Sequence, residues 1–236
     1  MKLASKETCD GTTFGGSLKS QVYRALKADI LGGAFDMGER LNESQLIARY
    51  GVSRAPLRDA LTMLQRDGLL EVLPRVGYVT SRITPQDVMD IFELRILIEA
   101  TTVRKAAIQI DEPALDRLDQ LCSEYHPGDR QSYRTHLDEN LEFHCIIAEA
   151  ADNRSMVQVL TQLLEHMLRL LILRLDRSTG KDVVREHIEI AAALRQRDAA
   201  LAHDLMVRHL TVARLATIEA IMKLLANWHL LRCRSA

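Results

Sequence analysis

Two regimes of hydrophobic spacing divide the chain. In the first, Val22, Leu26 and Ile30 recur every four positions, with Ser17 placed to cap and Gly32-Gly33 to stop, which predicts a helix. A second, shorter helix is expected from Glu43 to Tyr50, with Asn42 as N-cap and Gly51 as terminator. A third is expected after Ser53, where a serine again suits the cap and Pro56 is tolerated in the first turn, ending at about Asp67-Gly68. LLEVLPRVGYVT then alternates apolar and polar positions around a turn at Pro74–Gly77, which reads as a β-hairpin. Helix, helix, turn, helix and hairpin, in that order over residues 17–82, predict a winged helix-turn-helix.

The second regime opens at Thr84-Pro85 and contains no convincing strand. Helical spacing covers about 85–108, 112–123, 130–151, 154–176, 181–197 and 199–227. The breaks hold Asp111-Glu112-Pro113, His126-Pro127-Gly128, Ala151-Asp152-Asn153, Ser178-Thr179-Gly180 and Arg197-Asp198. Six helices with short connections predict an antiparallel bundle over residues 83–230. The expected fold is therefore mainly α, an N-terminal winged helix-turn-helix followed by an all-helical bundle. Residues 1–16, polar and rich in Gly and Thr, are expected to form a disordered arm.

Composition supports helices packed through leucine: aromatic residues make up only 4% of the chain, and apolar residues 47%. The net charge of -1 conceals an asymmetry. Residues 1–82 hold 12 Lys+Arg against 9 Asp+Glu, and the remainder holds 19 against 23, so positive charge sits with the expected helix-turn-helix. The most apolar stretch, Met156–Leu175, is broken by Glu165, His166, Arg169 and Arg174, and a membrane span needs about 20 nearly uninterrupted apolar residues. With no apolar leader in MKLASKETCDGTTFGG, the expected location is cytoplasmic, away from membranes. Cys9, Cys122, Cys145 and Cys233 lack any paired spacing and are expected to be idle reduced thiols.

The first candidate chemistry lies in NESQLIARYGVSRAPLRDALTMLQRDG, residues 42–68. Leu46, Ile47, Val52, Leu57, Leu61 and Leu64 form a seam that holds two helices across the Gly51 turn. Arg54 and Arg58 share one face at the start of the second of these helices, where a helix-turn-helix meets base edges in the major groove. An arginine bridging guanine O6 and N7 supplies about 1–3 kcal/mol of discrimination. The bland alternative is a pair of solvated charges. Ser53, Arg54, Pro56 and Arg58 are the expected DNA-facing set. Arg49, Arg66, Arg75 and Arg82 are the expected phosphate contacts, and the hairpin tip Arg75-Val76-Gly77 is suited to a minor groove, Gly77 allowing close backbone approach.

The second lies in the helical part. His144, His187 and His209 each fall on the apolar stripe of their own helix, with Asn140 one turn before His144. Neutral imidazoles meeting in a core make a natural cage for a divalent metal; hydrogen-bonded core histidines are the other reading. Arg95 also falls on an apolar stripe, with Val88, Ile91 and Ile98. Either Glu99, one turn on, neutralises it, or it faces a cavity and clamps a carboxylate ligand. His126, His136, His166, His203 and His229 have no such constellation and are read as surface or incidental; Arg169 and Arg174 are expected on a solvated face, with lining the cavity as the alternative.

ESQLIARYGVSRAPLRDALTMLQRDGLLEVLPRVGYVT resembles the winged helix of the GntR superfamily, with its pattern E-x-x-L-A-x-x-x-G-V-S-R-x-P-V-R-x-A-L-x-x-L-x-x-x-G-L-V and glycine-bearing wing. Ile47 replaces the usual Ala, and Ser44 stands where some relatives place a DNA-contacting Arg. NLEFHCIIAEAADN and EHIEIAAALRQRDAALAHDLMVRHL resemble the two signatures of the FCD ligand-binding domain of the FadR-like subfamily, and FELRILIEA resembles its opening helix. The resemblance implies that Asn140, His144, His187 and His209 hold a divalent ion such as zinc, nickel or manganese at the floor of an effector cavity. Many members have Asp where Asn140 stands. It further implies a homodimer on a pseudo-palindromic double-stranded DNA operator, responsive to a small carboxylate effector. Repression of a catabolic or transport operon is expected, with activation as the alternative. A metal-dependent hydrolase using Glu142 or Glu186 as base is the rival from another class.

Overall fold

The computed structural model describes residues 17–122, 130–173 and 180–232. The arm expected at 1–16 and the breaks expected at 126–128 and 178–179 lie outside these. Contacts divide the chain into two units, Met1–Ile83 and Thr84–Ala236.

The first unit contains α1 (Leu18–Leu31), α2 (Glu43–Tyr50), α3 (Arg54–Arg66) and the strands β1 (Leu70–Leu73) and β2 (Gly77–Thr80). Local chemistry sets each boundary. Asn42 caps α2 by accepting from the backbone N–H groups of Ser44 and Gln45. Gly51 ends α2 in the left-handed region at φ +64°, where a side chain is disfavoured and where its N–H can still bond the Ile47 carbonyl. The caps expected from Ser17 and Ser53 differ. Both residues occupy the N-cap position, yet neither side chain bonds the helix N-terminus. Ser17 Oγ instead lies 3.2 Å from Ser20 Oγ.

The core of this unit joins Val22, Leu26 and Ile30 of α1 to Leu46, Val52, Leu57, Leu61 and Leu64, with Ile47 at its margin. At about 1.5–3 kcal/mol for each fully buried aliphatic side chain, this seam fixes α3 against α1 and α2. β1 and β2 pair antiparallel from Leu70↔Thr80 to Leu73↔Gly77, and Arg75 at the tip is itself left-handed, at φ +64°.

The second unit is helical throughout its described residues: α4 (Pro85–Gln109), α5 (Glu112–Leu121), α6 (Arg130–Ala150), α7 (Arg154–Leu173), α8 (Gly180–Arg195) and α9 (Ala199–Arg232). Thr84 and Asp87 form a reciprocal capping box at the start of α4. Asp111 caps α5, and Asp198 accepts from the N–H groups of Ala200 and Leu201 to start α9. α4 is the central helix, touching α6, α7, α8 and, most extensively, α9. Glu99 meets His144 and Gln109 bonds the Ala150 carbonyl, so α4 and α6 run in the same sense. Arg197 bonds the Ile110 carbonyl, which sets the start of α9 beside the end of α4 and makes those two helices antiparallel. Among the described residues no helix is long and apolar enough to cross a membrane.

Candidate nucleic-acid interface and metal centre

Leu57, Ala60, Leu61 and Leu64 bury one face of α3, which turns Arg54 and Arg58 outward. Both side chains reach Glu43, the first residue of α2: Arg58 Nε donates to Glu43 Oε2 at 3.2 Å, and Arg54 Nε lies 3.8 Å from the same oxygen. Ser53 is exposed beside them and Pro56 half-buried. Arg49 is differently engaged. It pairs with Asp29 at 2.7 Å and lies over the rings of Phe35 and Tyr50, tying α2 to α1 and the segment after it. Arg75 and Gly77 are exposed at the hairpin tip, and a Cβ added to Gly77 would meet nothing within 4 Å. Gly77 at φ +96° thus serves the turn conformation, with open space beside it.

In the helical unit, His144 of α6, His187 of α8 and His209 of α9 converge. One ring nitrogen of each lies within 4.8 Å of the others, and all three residues are at most 3% exposed. Phe143 stacks on His187 with ring centroids 3.9 Å apart, fixing that imidazole. Glu186 Oε2 lies 2.7 Å from His209 Nδ1, an arrangement that leaves Nε2 as the nitrogen available to a ligand. Glu99 Oε2 lies 2.5 Å from His144 Nδ1, off the line of a good hydrogen bond, and Nε2 of both His144 and His187 has no hydrogen-bond partner among the described residues. Asn140 is half-buried one turn before His144 on α6.

The electrostatics keep His144 and His187 uncharged. Burial drives the His144 imidazole down to about 4, although Glu99 pulls the other way. Burial, then His209 and His144, hold His187 well below the usual imidazole range. Burial pushes the Glu99 carboxyl up, but Arg95 and then His144 outweigh it and hold it at about 2. Glu99 is therefore an anion beside an uncharged ring. Lone pairs aimed into a dry cluster are a poor end state for a core and a good one for a metal, because each unsatisfied buried nitrogen carries a desolvation cost of about 1–3 kcal/mol. The residues fit a divalent cation that accepts imidazole nitrogen.

Arg95 is neutralised by Glu99, the first of the two readings of its position: its Nε donates to Glu99 Oε1 at 2.7 Å. Its guanidinium lies over Phe92, while Nη2 has no hydrogen-bond partner among the described residues. Two surface expectations are corrected: His136, two turns before His144, and Arg169 on α7 are both buried, at 9% and 5% exposure. His136 is close enough to help keep His187 neutral. The two candidate bases of the hydrolase reading are engaged: Glu142 by Arg117 at 2.7 and 2.8 Å, and Glu186 by His209.

Comparisons with known proteins agree with this two-part organisation. Residues 18–79 match the family described as bacterial regulatory proteins, gntR family, and residues 90–212 match the FCD domain. The chain is 32% identical over 198 residues to an uncharacterised HTH-type transcriptional regulator of Bacillus subtilis, YdhC, covering 80% of this chain and 86% of that one. It is also 32% identical over 200 residues to the Escherichia coli HTH-type transcriptional repressor GlaR, covering 80% and 90% respectively. Its fold is similar to that of Escherichia coli McbR/YncC, with a TM-score of 0.74 at 20% identity over 86% of this chain and 98% of that one. The chain belongs to the GntR family of bacterial transcription regulators, with a DNA-binding winged helix-turn-helix followed by an FCD domain.

Proposed function

We propose that this chain is a ligand-responsive regulator, a repressor of a catabolic or transport operon, that acts by binding and not by catalysis. GlaR, a relative of similar length, is named as a repressor, which supports that sign of control. The observation that carries ligand response is the meeting of three buried imidazoles, with two Nε2 atoms that have no hydrogen-bond partner among the described residues. His144, His187, His209 and Asn140 are assigned to a divalent ion, zinc, nickel or manganese. Such an ion supplies open coordination positions for an effector's carboxylate or hydroxyl oxygen. Nη2 of Arg95, without a hydrogen-bond partner among the described residues, supports its assignment as a donor to an effector carboxylate, while Glu99 holds the other edge of its guanidinium.

On the DNA side, Arg54 and Arg58 are assigned to base edges, Ser53, Pro56 and Arg49 to the adjoining backbone, and Arg75 with Gly77 to the minor groove. A homodimer in the cytoplasm would place two such helices on a pseudo-palindromic operator. An effector changes operator affinity only through unequal affinity for the DNA-competent and DNA-incompetent arrangements.

Selection and sequencing of genomic fragments bound by the purified full chain, with and without divalent metal and small carboxylates, tests this reading. A short pseudo-palindrome whose recovery depends on metal plus carboxylate supports it. Recovery indifferent to every addition leaves a DNA-binding protein without ligand response and overturns the proposal for the helical unit.

A further inference from the structure

Glu43 is the only acidic side chain seen to touch Arg54 or Arg58 among the described residues, and it touches both through a single oxygen. All three residues belong to the first unit. Glu43 opens α2, Arg54 opens α3, and the seam of Leu46, Val52, Leu57 and Leu61 holds the two helix starts together. The side chain of Glu43 is 28% exposed, against 65% for Arg54 and 58% for Arg58, so the carboxylate is the more buried member of each pair.

What matters chemically is which edge of each guanidinium is used. Both contacts are made by Nε, and neither arginine forms another ion pair among the described residues. Among the described residues the Nη1 and Nη2 groups have no partner, which leaves them to form the two parallel bonds that recognise guanine O6 and N7. An untethered arginine on this face has many rotamers and can turn to the nearest phosphate, a contact that raises affinity for every sequence alike. A carboxylate at both Nε edges restricts those rotamers. It also makes the swing to phosphate cost a broken ion pair, while its own negative charge opposes close approach to the DNA backbone.

We propose that Glu43 is the specificity-determining positioning residue of this helix-turn-helix: it holds Arg58 and Arg54 by their Nε edges for base readout and withholds them from phosphate. The inference rests on the assignment of those arginines to base edges. The plain alternative is an acid at a helix N-terminus with weak surface ion pairs, which would adjust the stability of α2 and the affinity for all DNA equally.

The test uses the full chain as wild type, Glu43→Gln, Arg58→Ala and the double variant. The probes are a duplex selected by the wild type from a randomised pool and poly(dA-dT), which lacks guanine O6 and N7, as sequence-indifferent DNA, titrated over a range of salt. With Glu43→Gln, binding to poly(dA-dT) is expected to strengthen and its salt slope to steepen by about 1, as a freed arginine reaches phosphate. The ratio of selected to indifferent affinity is expected to fall about tenfold, within the range of one lost guanine contact. Reselection with this variant is expected to return a more degenerate sequence. In the Arg58→Ala background the same substitution should lower the ratio by much less, because one of its two clients is gone. A ratio that is unchanged or raised, with thermal unfolding near wild type, overturns the proposal and leaves Glu43 as a helix-end acid. Full binding of the selected duplex by Arg58→Ala overturns the base-edge assignment beneath it, a separate failure that takes the proposal with it. Glu43→Ala provides a control for side-chain bulk.

Discussion

Arg95 and Glu99 stand one turn apart on α4 and form an ion pair at 2.7 Å where each residue is at most 4% exposed. Taking both charges out of water is costly, and their mutual attraction offsets that cost only while both are present. The second oxygen of Glu99 lies against His144, so one carboxylate joins the guanidinium to the histidine cluster.

Breaking this pair should be far more damaging than replacing it. Glu99→Gln and Arg95→Met are each expected to destabilise the helical unit by about 3–5 kcal/mol, since each leaves one buried charge uncompensated. The double variant Arg95→Met/Glu99→Leu should recover most of that loss. Equilibrium denaturation followed by far-UV circular dichroism measures it; additive losses in the double variant would contradict a desolvated pair.

Metal content should depend on the imidazoles and, more weakly, on what orients them. His144→Ala combined with His187→Ala is expected to abolish stoichiometric metal in elemental analysis of the purified chain. Glu186→Ala should retain the ligands but lose about 10–100-fold in metal affinity, because His209 loses the carboxylate at its Nδ1. Metal retained at full occupancy by the double histidine variant would place any ion elsewhere.

Removing one arginine assigned to base edges should weaken recognition without touching the fold. Arg58→Ala is expected to reduce binding to the selected operator by about 1–3 kcal/mol while thermal unfolding stays near wild type, the side chain being 58% exposed. Mobility shift or fluorescence anisotropy reads the first quantity and calorimetry the second. Unchanged operator binding would move the recognition surface off this face of α3.

The turn between α2 and α3 should be sensitive to backbone chemistry alone. A Cβ on Gly51 would meet nothing within 4 Å, yet the residue sits at φ +64°. Gly51→Ala is therefore expected to cost about 1–2 kcal/mol with no steric clash against neighbours, and Gly51→Asn less, as asparagine tolerates this region better. A difference in melting temperature between the two variants checks this; an alanine variant as stable as wild type would contradict the strain.

Much of this was visible along the chain. Periodicity located α1 to α3 and the hairpin, and Asn42 and Gly51 mark the ends of α2, as Asp111 marks the start of α5, through bonds made within a few residues. The histidines stood out for a related reason: a polar residue on an apolar stripe must point inward, whichever helix comes to cover it. The same rule failed for His136 and Arg169. His136 sits among enough polar neighbours to pass for a solvated face, and Arg169 was read as exposed for its charge although it lies in the most apolar stretch; only their burial in the fold shows otherwise. The Ser53 cap failed differently: its backbone is placed correctly, but its side chain does not bond α3.

The sequence by itself therefore determined the elements, their order, the turn chemistry and the inward placement of His144, His187 and His209, because these follow from interactions within a turn or two of helix. Only the tertiary structure decided which charges meet. Glu43 holds Arg58 from 15 residues away. Glu186 takes a nitrogen of His209, and Glu99 divides itself between Arg95 on its own helix and His144 on another. Such pairings depend on how helices cross and which side chains reach across the crossing, and local spacing carries no record of a distance through space.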